Sequence, residues 1–371
     1  LDMPNGQKEV GIERLHLEQD AGKSIHDMDP QNTLVDLNRS GIALMEIVSK
    51  PDLRTPDEVS AYIKKLRSIM RYLGTCDGNM QEGSLRADVN VSVRLKDSKE
   101  LGTRCEIKNV NSIKFMQMAI DYEANRQVDL IEEGKSIDQE TRLFDTKKNE
   151  TRSMRSKEDA HDYRYFPDPD LLPLEVSDEF IEKLKADIPE LPDDKKKRFI
   201  DEFKISTYEA TILVSDIDTA KYFEEVVAKM GKNQDIKLAV NWITGELFAV
   251  LNNKNLEISQ SPISAKNLAK LINLIKNGTI SGKIAKTIFE LMMDGDKDPQ
   301  VIVEEKGLKQ ESDPKALEAL IDKIINDNRE KAVEYKNGKE KLFGFFVGQA
   351  MKVSDGKANP QLINEILKKK L

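Results

Sequence analysis

Residues 84–94 read SLRADVNVSVR, and residues 103–110 read TRCEIKNV. In the first stretch apolar residues occupy every second position, which is the pattern of a strand with one buried face. In the second stretch Cys105 and Ile107 alternate with charged residues in the same way. A short polar link joins the two stretches, so the sequence predicts an antiparallel hairpin with one apolar face and one densely charged face.

Helices are predicted on both sides of this hairpin. The first begins at Thr55, a favourable N-cap that is followed by Pro56, and it ends at Gly74, a natural C-terminal stop. The second runs from residue 112 to about 134. Its predicted inner face consists of Phe115, Ala119, Ile120 and Ile131.

Further strands are predicted before the first helix. Residues 10–20 alternate, which places Leu15 and Leu17 on one face of a strand and Glu18 on the other, polar face. Residues 33–48 predict two strands around a turn at 38–41.

Period-two alternation disappears after about residue 186, and short amphipathic helices follow one another to the C-terminus. The predicted helices cover residues 193–203, 218–230, 238–252, 264–277, 281–294, 299–305, 314–327, 329–336, 340–352 and 360–370. We therefore predict an α+β protein in three parts. These are an antiparallel-sheet domain over 1–185, an all-α helical domain over 186–298 and a small α-helical tail domain over 299–371.

The composition argues against several classes of protein. With 39% apolar and 33% charged residues, the chain is typical of a globular protein with more than one core. Its net charge of −8 argues against a uniformly basic nucleic-acid-binding surface, and its longest apolar run is too short for a membrane span. The two cysteines, Cys76 and Cys105, indicate no disulfide framework, so we expect a cytoplasmic protein.

Motifs for common nucleotide and metal sites are missing from the sequence. Residues 20–24 (DAGKS) resemble the end of a phosphate-binding loop, but that loop needs its first glycine where this chain has Leu17. The three histidines and two cysteines form no zinc motif. A metal bound here would therefore rest on carboxylates and would be a hard cation such as Mg²⁺.

The charged face of the hairpin is the strongest candidate for chemistry. Asp88 and Glu106 point the same way on adjacent strands, and Glu18 projects from a third strand. Converging carboxylates repel one another, and a divalent cation removes that cost and can then bind phosphate oxygens. The other polar groups of this face are suited to bind the phosphate oxygens whose charge the cation does not neutralise. These groups are Arg86, Asn90 and Lys108. On spacing alone, the alternative of a solvated polar face with ordinary salt bridges stays open.

Two further features have more than one interpretation. His161 could act as a general base, although a lone histidine is more often structural. The last 41 residues carry nine lysines and four acidic residues, a balance that suits a phosphate backbone but also a solubilising terminus. The candidate lysines are Lys336, Lys339, Lys341, Lys352 and Lys357.

Eight segments together resemble a known family. They are residues 16–23 (HLEQDAGK), 34–39 (LVDLNR), 46–52 (EIVSKPD), 82–90 (EGSLRADVN), 106–109 (EIKN), 161–167 (HDYRYFP), 347–352 (VGQAMK) and 358–360 (ANP). In this order, and over essentially the whole chain, they resemble the B subunits of the aspartyl/glutamyl-tRNA(Asn/Gln) amidotransferases, the GatB/GatE family.

The resemblance implies a fold, an activity and partners. Members have a cradle-like catalytic domain, a helical domain and a YqeY-like tail that holds tRNA. They use ATP to phosphorylate the side-chain carboxylate of Glu-tRNA(Gln) or Asp-tRNA(Asn), and ammonia that an amidase-like A subunit frees from glutamine displaces the phosphate. The resemblance thus implies a cytoplasmic carbon–nitrogen ligase that works with the A and C subunits of the complex and uses ATP and Mg²⁺. The family's Mg²⁺ ligands fall here on Glu18, Asp88 and Glu106.

Two departures from the family pattern bear on this site. The family's N-terminal stretch supplies two further metal ligands, and because this chain begins after that stretch, we expect the piece alone to be inactive. Gln19 stands where the family usually has Glu, and an amide cannot accept a proton on the ammonia route. The competing hypothesis is a non-catalytic tRNA-binding or scaffolding module, although such a module would not need three carboxylates opposite an anionic ligand.

Overall fold

The chain forms two compact units, Leu1–Leu191 and Pro192–Leu371, in a computed structural model. The described residues are 1–26, 28–156, 169–231, 235–310, 313–354 and 356–371, and the side chains of residues 155 and 156 lie outside the description. In these described ranges the first unit combines strands with helices, and the regular elements of the second unit are helices.

The first unit contains small sheets and three helices within its described residues. Its strands are β1 (Asp2–Met3), β2 (Gly6–Gln7), β3 (Ile12–Gln19), β4 (Lys23–Ile25), β5 (Leu34–Asp36), β6 (Ala43–Ser49), β7 (Val89–Val91), β8 (Cys105–Lys108), β9 (Glu140–Asp145) and β10 (Glu150–Ser156). Its helices are α1 (Pro56–Leu73), α2 (Ile113–Glu132) and α3 (Asp178–Asp187).

The main sheet of this unit has the strand order β10-β9-β8-β7. Strands β7 and β8 pair antiparallel, with Asn90 opposite Glu106, which confirms the predicted hairpin, although its strands are shorter than the alternating stretches. Strands β8 and β9 pair in parallel, with Glu106 opposite Thr141. Parallel neighbours need a long crossover, and α2 supplies it. The α+β class is confirmed, and the sheet is mixed rather than purely antiparallel.

The ends of α1 and α2 agree with the sequence signals. The Thr55 hydroxyl accepts a hydrogen bond from the Glu58 backbone N–H at 3.2 Å, and Gly74 ends α1 at a φ of 69°. The Ser112 hydroxyl caps α2 by accepting from the Phe115 backbone N–H at 3.1 Å. Both predicted helices are confirmed to within two residues at each end.

The buried face of α2 differs from the prediction. Ala119 is fully buried as expected, but Ile131 is 43% exposed, so its assignment to the inner face was wrong. Glu123 and Gln127 are buried in full instead. The helix follows the sheet along a row of residues four apart, which continues from Ala119 through these two polar side chains. Hydrophobic spacing could not indicate this because the row is polar at its C-terminal end.

Glu123 is the centre of a buried polar network between α2 and the sheet. Its carboxylate accepts hydrogen bonds from Arg126 at 2.6 and 3.0 Å, from the Gln127 amide at 2.8 Å and from the Thr151 hydroxyl at 2.8 Å. Arg142 of β9 lies 3.1 Å from the same carboxylate. Burial would raise the pKa of Glu123, but the hydrogen bonds from Arg126, Gln127 and Thr151 outweigh it and lower that pKa. The network therefore ties β9 and β10 to α2.

The strands before α1 form separate two-stranded pairs. β3 pairs with β6, and β4 pairs with β5. The predicted strands on either side of the turn at 38–41 are thus confirmed, but each pairs with an earlier strand. The apolar face predicted for β3 is exposed, since Leu15 is 53% and Leu17 74% accessible.

In the described residues of the second unit, all the regular elements are helices. Its helices are α4 (Pro192–Phe203), α5 (Thr207–Val214), α6 (Ile217–Met230), α7 (Ile236–Asn241), α8 (Phe248–Lys254), α9 (Ala265–Lys276), α10 (Gly282–Met292), α11 (Pro299–Lys306), α12 (Pro314–Asp327), α13 (Arg329–Lys336), α14 (Leu342–Val353) and α15 (Pro360–Lys370). A π-helical turn, Trp242–Leu247, joins α7 to α8, where one continuous helix is predicted. The sequence pattern does not predict α3 or α5, although Ser206 and Glu209 form a capping box before α5.

Packing within the second unit bears on the predicted tail domain. Helix α11 contacts α9 and α10, and Lys270 of α9 forms an ion pair with Asp298 at the start of α11. A separate hydrophobic core begins at α12 and includes Leu317, Phe346 and Ile363. The division into three domains stays a prediction.

Among the described residues, no helix combines the length and the apolar character that crossing a membrane requires.

We expect Glu123→Gln to loosen the first unit, because it removes the buried carboxylate that compensates the buried Arg142 and the half-buried Arg126. Removing one partner of a buried ion pair costs about 3–5 kcal/mol. In the full chain at neutral pH, amide hydrogen exchange in α2 and β9, followed by mass spectrometry, should accelerate at least about 100-fold.

The matched control is Glu132→Gln, an exposed substitution on the same helix that should leave exchange unchanged. Since the folded-state pKa of Glu123 is lowered, its contribution is present above the ordinary carboxyl pKa and is lost as pH falls through the lowered value. The variant and the wild type should therefore converge in acid. Equal exchange at neutral pH would contradict the role assigned to Glu123.

Candidate functional site

The polar face of the main sheet carries the candidate site. Cys105 and Ile107 of β8 are completely buried on the opposite face, so Glu106 and Lys108 point away from the core, as predicted. Asn90 of β7 lies directly opposite Glu106, and Asp88 precedes the same strand. The alternation of the hairpin therefore brings acidic, basic and amide groups to one face.

Asp88 and Glu106 converge on the ammonium group of Lys108. The Lys108 Nζ atom lies 3.1 Å from Asp88 Oδ2 and 3.7 Å from Glu106 Oε1. Partial burial would lower the pKa of Lys108, but Asp88, and after it Glu106, raise that pKa above its usual value, so the lysine stays charged. Two carboxylates, one directly before β7 and one on β8, thus share the Lys108 ammonium.

Glu106 is held from its other side by a buried threonine. The Thr141 hydroxyl donates a hydrogen bond to Glu106 Oε2 at 2.9 Å, and Thr141 is only 4% exposed. Sequence reasoning missed Thr141, since the parallel pairing of β8 with β9 leaves no local pattern that would align these two residues.

Asn90 lies opposite Glu106, and Arg86 lies in the segment that precedes β7. Arg86 Nε donates to the Gly83 carbonyl oxygen at 3.2 Å. Arg39, which donates to Asp20 Oδ2 at 2.8 Å, and more weakly Arg86, lower the pKa of Asp20.

Glu18 occupies a different sheet from the other two predicted ligands. It is exposed on β3, opposite Leu44 of β6. Within the described ranges, no group of three or more histidine, cysteine, aspartate or glutamate side chains is arranged to hold a metal ion. The structure brings Asp88 and Glu106 together, and the membership of Glu18 in a shared site stays a prediction.

The donor chemistry of the Asp88–Glu106 pair fits Mg²⁺. Carboxylate oxygens are the ligands that this hard cation prefers, and it is commonly held by one or two carboxylates together with substrate phosphates. Both carboxylates already lie beside one positive group, the Lys108 ammonium. Asp88 and Glu106 would hold the ion, and phosphate oxygens would complete its coordination.

The structure describes two of the other candidates from the sequence, residues 20–24 and Cys105, whereas His161 lies outside the described residues. Lys23–Ile25 form strand β4, so residues 20–24 do not form a phosphate-binding loop. Cys105 is a buried core residue, as predicted. His161 and the rest of the segment 161–167 fall in the undescribed range 157–168.

The candidate tail lysines lie around α13 and α14. Lys336, Lys339, Lys341 and Lys352 are exposed, and Lys357 is half-buried. Lys339 forms an ion pair with Glu334 at 3.2 Å. Their role in binding tRNA stays a prediction.

Comparisons with known proteins agree with the sequence resemblance. One matching family model, described as the GatB/GatE catalytic domain, covers residues 1–182, and a second, described as a GatB domain, covers 221–371. A protein of Pelagibacter ubique is 93% identical over 371 residues, which are 100% of this chain and 75% of that protein. Proteins of Rhodospirillum rubrum and Bartonella quintana are 59% and 58% identical, over 100% and 99% of this chain and 76% and 73% of theirs. All three carry the name of the B subunit of an aspartyl/glutamyl-tRNA(Asn/Gln) amidotransferase.

Proposed function

The chain belongs to the GatB/GatE family, and on this premise we propose that it is the amidotransferase component that converts Glu-tRNA(Gln) or Asp-tRNA(Asn) to Gln-tRNA(Gln) or Asn-tRNA(Asn). The observation that carries the proposal is the convergence of Asp88 and Glu106 on a single cation, on the polar face of a sheet whose other face is core. ATP is the phosphoryl donor. The partners are an amidase-like A subunit, which frees ammonia from glutamine, and a small C subunit.

The reaction needs activation because a carboxylate is a poor electrophile. An oxygen of the tRNA-bound carboxylate attacks the γ-phosphorus of ATP, the bond to the β–γ bridging oxygen breaks, and ADP leaves with the electron pair. Ammonia then attacks the carbonyl carbon, the carbon–oxygen bond to the phosphate breaks, and the amide nitrogen loses its proton to solvent. Since an acyl phosphate hydrolyses readily, the site must exclude water between the two steps.

The residues of the polar face suit the first step. Mg²⁺ held by Asp88 and Glu106 would neutralise charge that develops on the transferred phosphoryl group. Arg86 and Lys108 carry the positive charges that bind phosphate oxygens, and the Asn90 amide can donate to one of them. These side chains orient the phosphate chain, so that the γ-phosphorus faces the incoming carboxylate.

The proposal also includes two neighbouring residues of β3, Glu18 as a metal ligand and Gln19 on the ammonia route. Glu18 is the third carboxylate of the site and would join Asp88 and Glu106 in holding the ion. Gln19 lacks a proton-accepting group, so another base or water must take the proton that the nitrogen loses after ammonia has attacked the carbonyl carbon.

The tail lysines are proposed to hold tRNA through its phosphates. The exposure of Lys336, Lys341 and Lys352 supports this assignment, since phosphate contacts need solvent-facing cations. A non-catalytic tRNA-binding module would use the same lysines, but it would have no use for a carboxylate pair arranged around a cation.

We expect Asp88→Asn and Glu106→Gln each to abolish ATP-dependent transamidation by the full-length protein assembled with its partner subunits. Each substitution removes a negative charge that holds Mg²⁺, and losses of about 100-fold or more are typical for groups that stabilise transition-state charge. Glutamine hydrolysis by the amidase-like partner should survive at least in part.

The control is Asp121→Asn, which removes an exposed carboxylate from α2 and should leave transamidation unchanged. The measurement is formation of Gln-tRNA(Gln) and Asn-tRNA(Asn) from the mischarged tRNAs. Full transamidation by either site variant would overturn the assignment of the carboxylate pair.

Neutralising Lys336, Lys341 and Lys352 together, each to Gln, should weaken the binding of tRNA. If each lysine contacts a phosphate, the slope of log affinity against log salt should become shallower by about one unit for each lysine. The loss should be similar for tRNA(Gln) and tRNA(Asn), because phosphate contacts do not read sequence.

The control for this triple variant replaces three exposed lysines elsewhere, Lys114, Lys183 and Lys254, each with Gln. Dissociation constants at several KCl concentrations are the measurement. If the slope of log affinity against log salt is unchanged in the tail variant, these lysines do not contact phosphates, and a solubilising role is favoured instead.

A further inference from the structure

Thr141 has a position that no sequence pattern indicates. It lies directly opposite Glu106 in the parallel pair of β8 and β9, on the polar face of the sheet. Its hydroxyl donates to Glu106 Oε2 at 2.9 Å, although the residue is only 4% exposed. A buried hydroxyl that donates to a carboxylate oxygen forms a charge-assisted hydrogen bond, which is among the stronger kinds.

The backbone that carries Thr141 is fixed from the other face of the sheet. The next residue, Arg142, donates from Nε to the Thr151 hydroxyl at 2.9 Å and from Nη2 to the Thr151 carbonyl oxygen at 2.8 Å. The same guanidinium lies 3.1 Å from the buried carboxylate of Glu123. The Thr141 hydroxyl therefore presents a rigid donor to Glu106.

The hydrogen bond distinguishes the two oxygens of Glu106. Oε2 is occupied by Thr141, whereas Oε1 faces the Lys108 ammonium at 3.7 Å, on the side where Asp88 also lies. A glutamate side chain loses rotamer freedom when it binds an ion, and a group that fixes it beforehand removes part of that cost. Hydrogen-bond partners of metal-ligating carboxylates act in this way.

We propose that Thr141 is a positioning residue, which holds Glu106 so that Oε1 faces the divalent cation shared with Asp88. The inference rests on the proposed function, because it assumes that Glu106 binds the ion. Thr141 itself touches neither the cation nor the phosphates. It acts through Glu106 alone, so its effect should appear in cation affinity before it appears in anything else.

The test compares Thr141→Val, Thr141→Ser and Thr151→Val in the full chain. Val keeps the shape of Thr and removes the hydroxyl, whereas Ser keeps the hydroxyl. Thr151→Val is the matched control, since it removes an equally buried hydroxyl that bonds to Glu123 rather than to Glu106. In this variant Arg142 keeps its bond to the Thr151 carbonyl oxygen and its ion pair with Glu123, so β9 stays anchored. The dissociation constant for Mn²⁺, measured from the electron paramagnetic resonance signal of the free ion, is the primary readout.

Thr141→Val should weaken Mn²⁺ binding by about 10–100-fold, the usual effect of removing a partner of a metal ligand. Thr141→Ser should restore binding to within a few-fold of wild type. Thr151→Val should lower thermal stability and leave Mn²⁺ affinity unchanged. In the assembled enzyme, the Mg²⁺ concentration for half-maximal transamidation should rise for Thr141→Val and not for Thr151→Val. If Thr141→Val fails to fold, Thr141→Ala gives the same comparison.

Wild-type Mn²⁺ affinity in Thr141→Val, or an equal loss in Thr151→Val, would overturn the positioning role. Glu106→Gln separates this failure from a failure of the proposed function. If Glu106→Gln loses Mn²⁺ binding and Thr141→Val does not, the cation site stands and only the role of Thr141 is wrong. If Glu106→Gln binds Mn²⁺ as the wild type does, the cation site itself is wrong.

Discussion

The repulsion between Asp88 and Glu106 is the constraint around which the first unit is organised. Glu106 lies on β8 and Asp88 directly precedes the neighbouring strand β7, so two negative charges lie close together, and a positive group between them reduces their repulsion. Lys108 supplies that group from β8. In the proposed function, this arrangement serves a site for a divalent cation and phosphates.

The rest of the unit keeps this pair in register. The network around Glu123 ties α2 to β9 and β10, and β9 in turn supplies the Thr141 hydroxyl to Glu106. A fully buried carboxylate with two arginines is favourable only when every member has its hydrogen bonds, and here the Gln127 amide and the Thr151 hydroxyl complete the set. Rigidity at the core is thus transmitted to the polar face through one strand.

Local signals in the sequence predict much of this fold. Thr55 and Gly74 mark the ends of α1, and the period-two alternation on both sides of residue 100 marks the hairpin and its charged face. What the sequence does not predict depends on contacts between distant segments. Thr141 meets Glu106 only through a parallel crossover, and Glu123 is buried only because two arginines neutralise it, whereas apolar Ile131 on the same helix is exposed. Periodicity records which face is apolar, and it contains no information about which polar groups find partners inside.

Asp88 and Glu106 are proposed to share a divalent cation that binds the phosphates of ATP. The most direct measurement is anomalous diffraction from crystals of the full-length protein assembled with its partner subunits, grown with Mn²⁺ and a non-hydrolysable ATP analogue. We predict an anomalous peak within about 2.3 Å of an oxygen of each carboxylate, with the Lys108 ammonium no longer between them and placed against the phosphates. A peak elsewhere on the phosphate chain, with Lys108 still bound between Asp88 and Glu106, would show that these two carboxylates do not hold the ion.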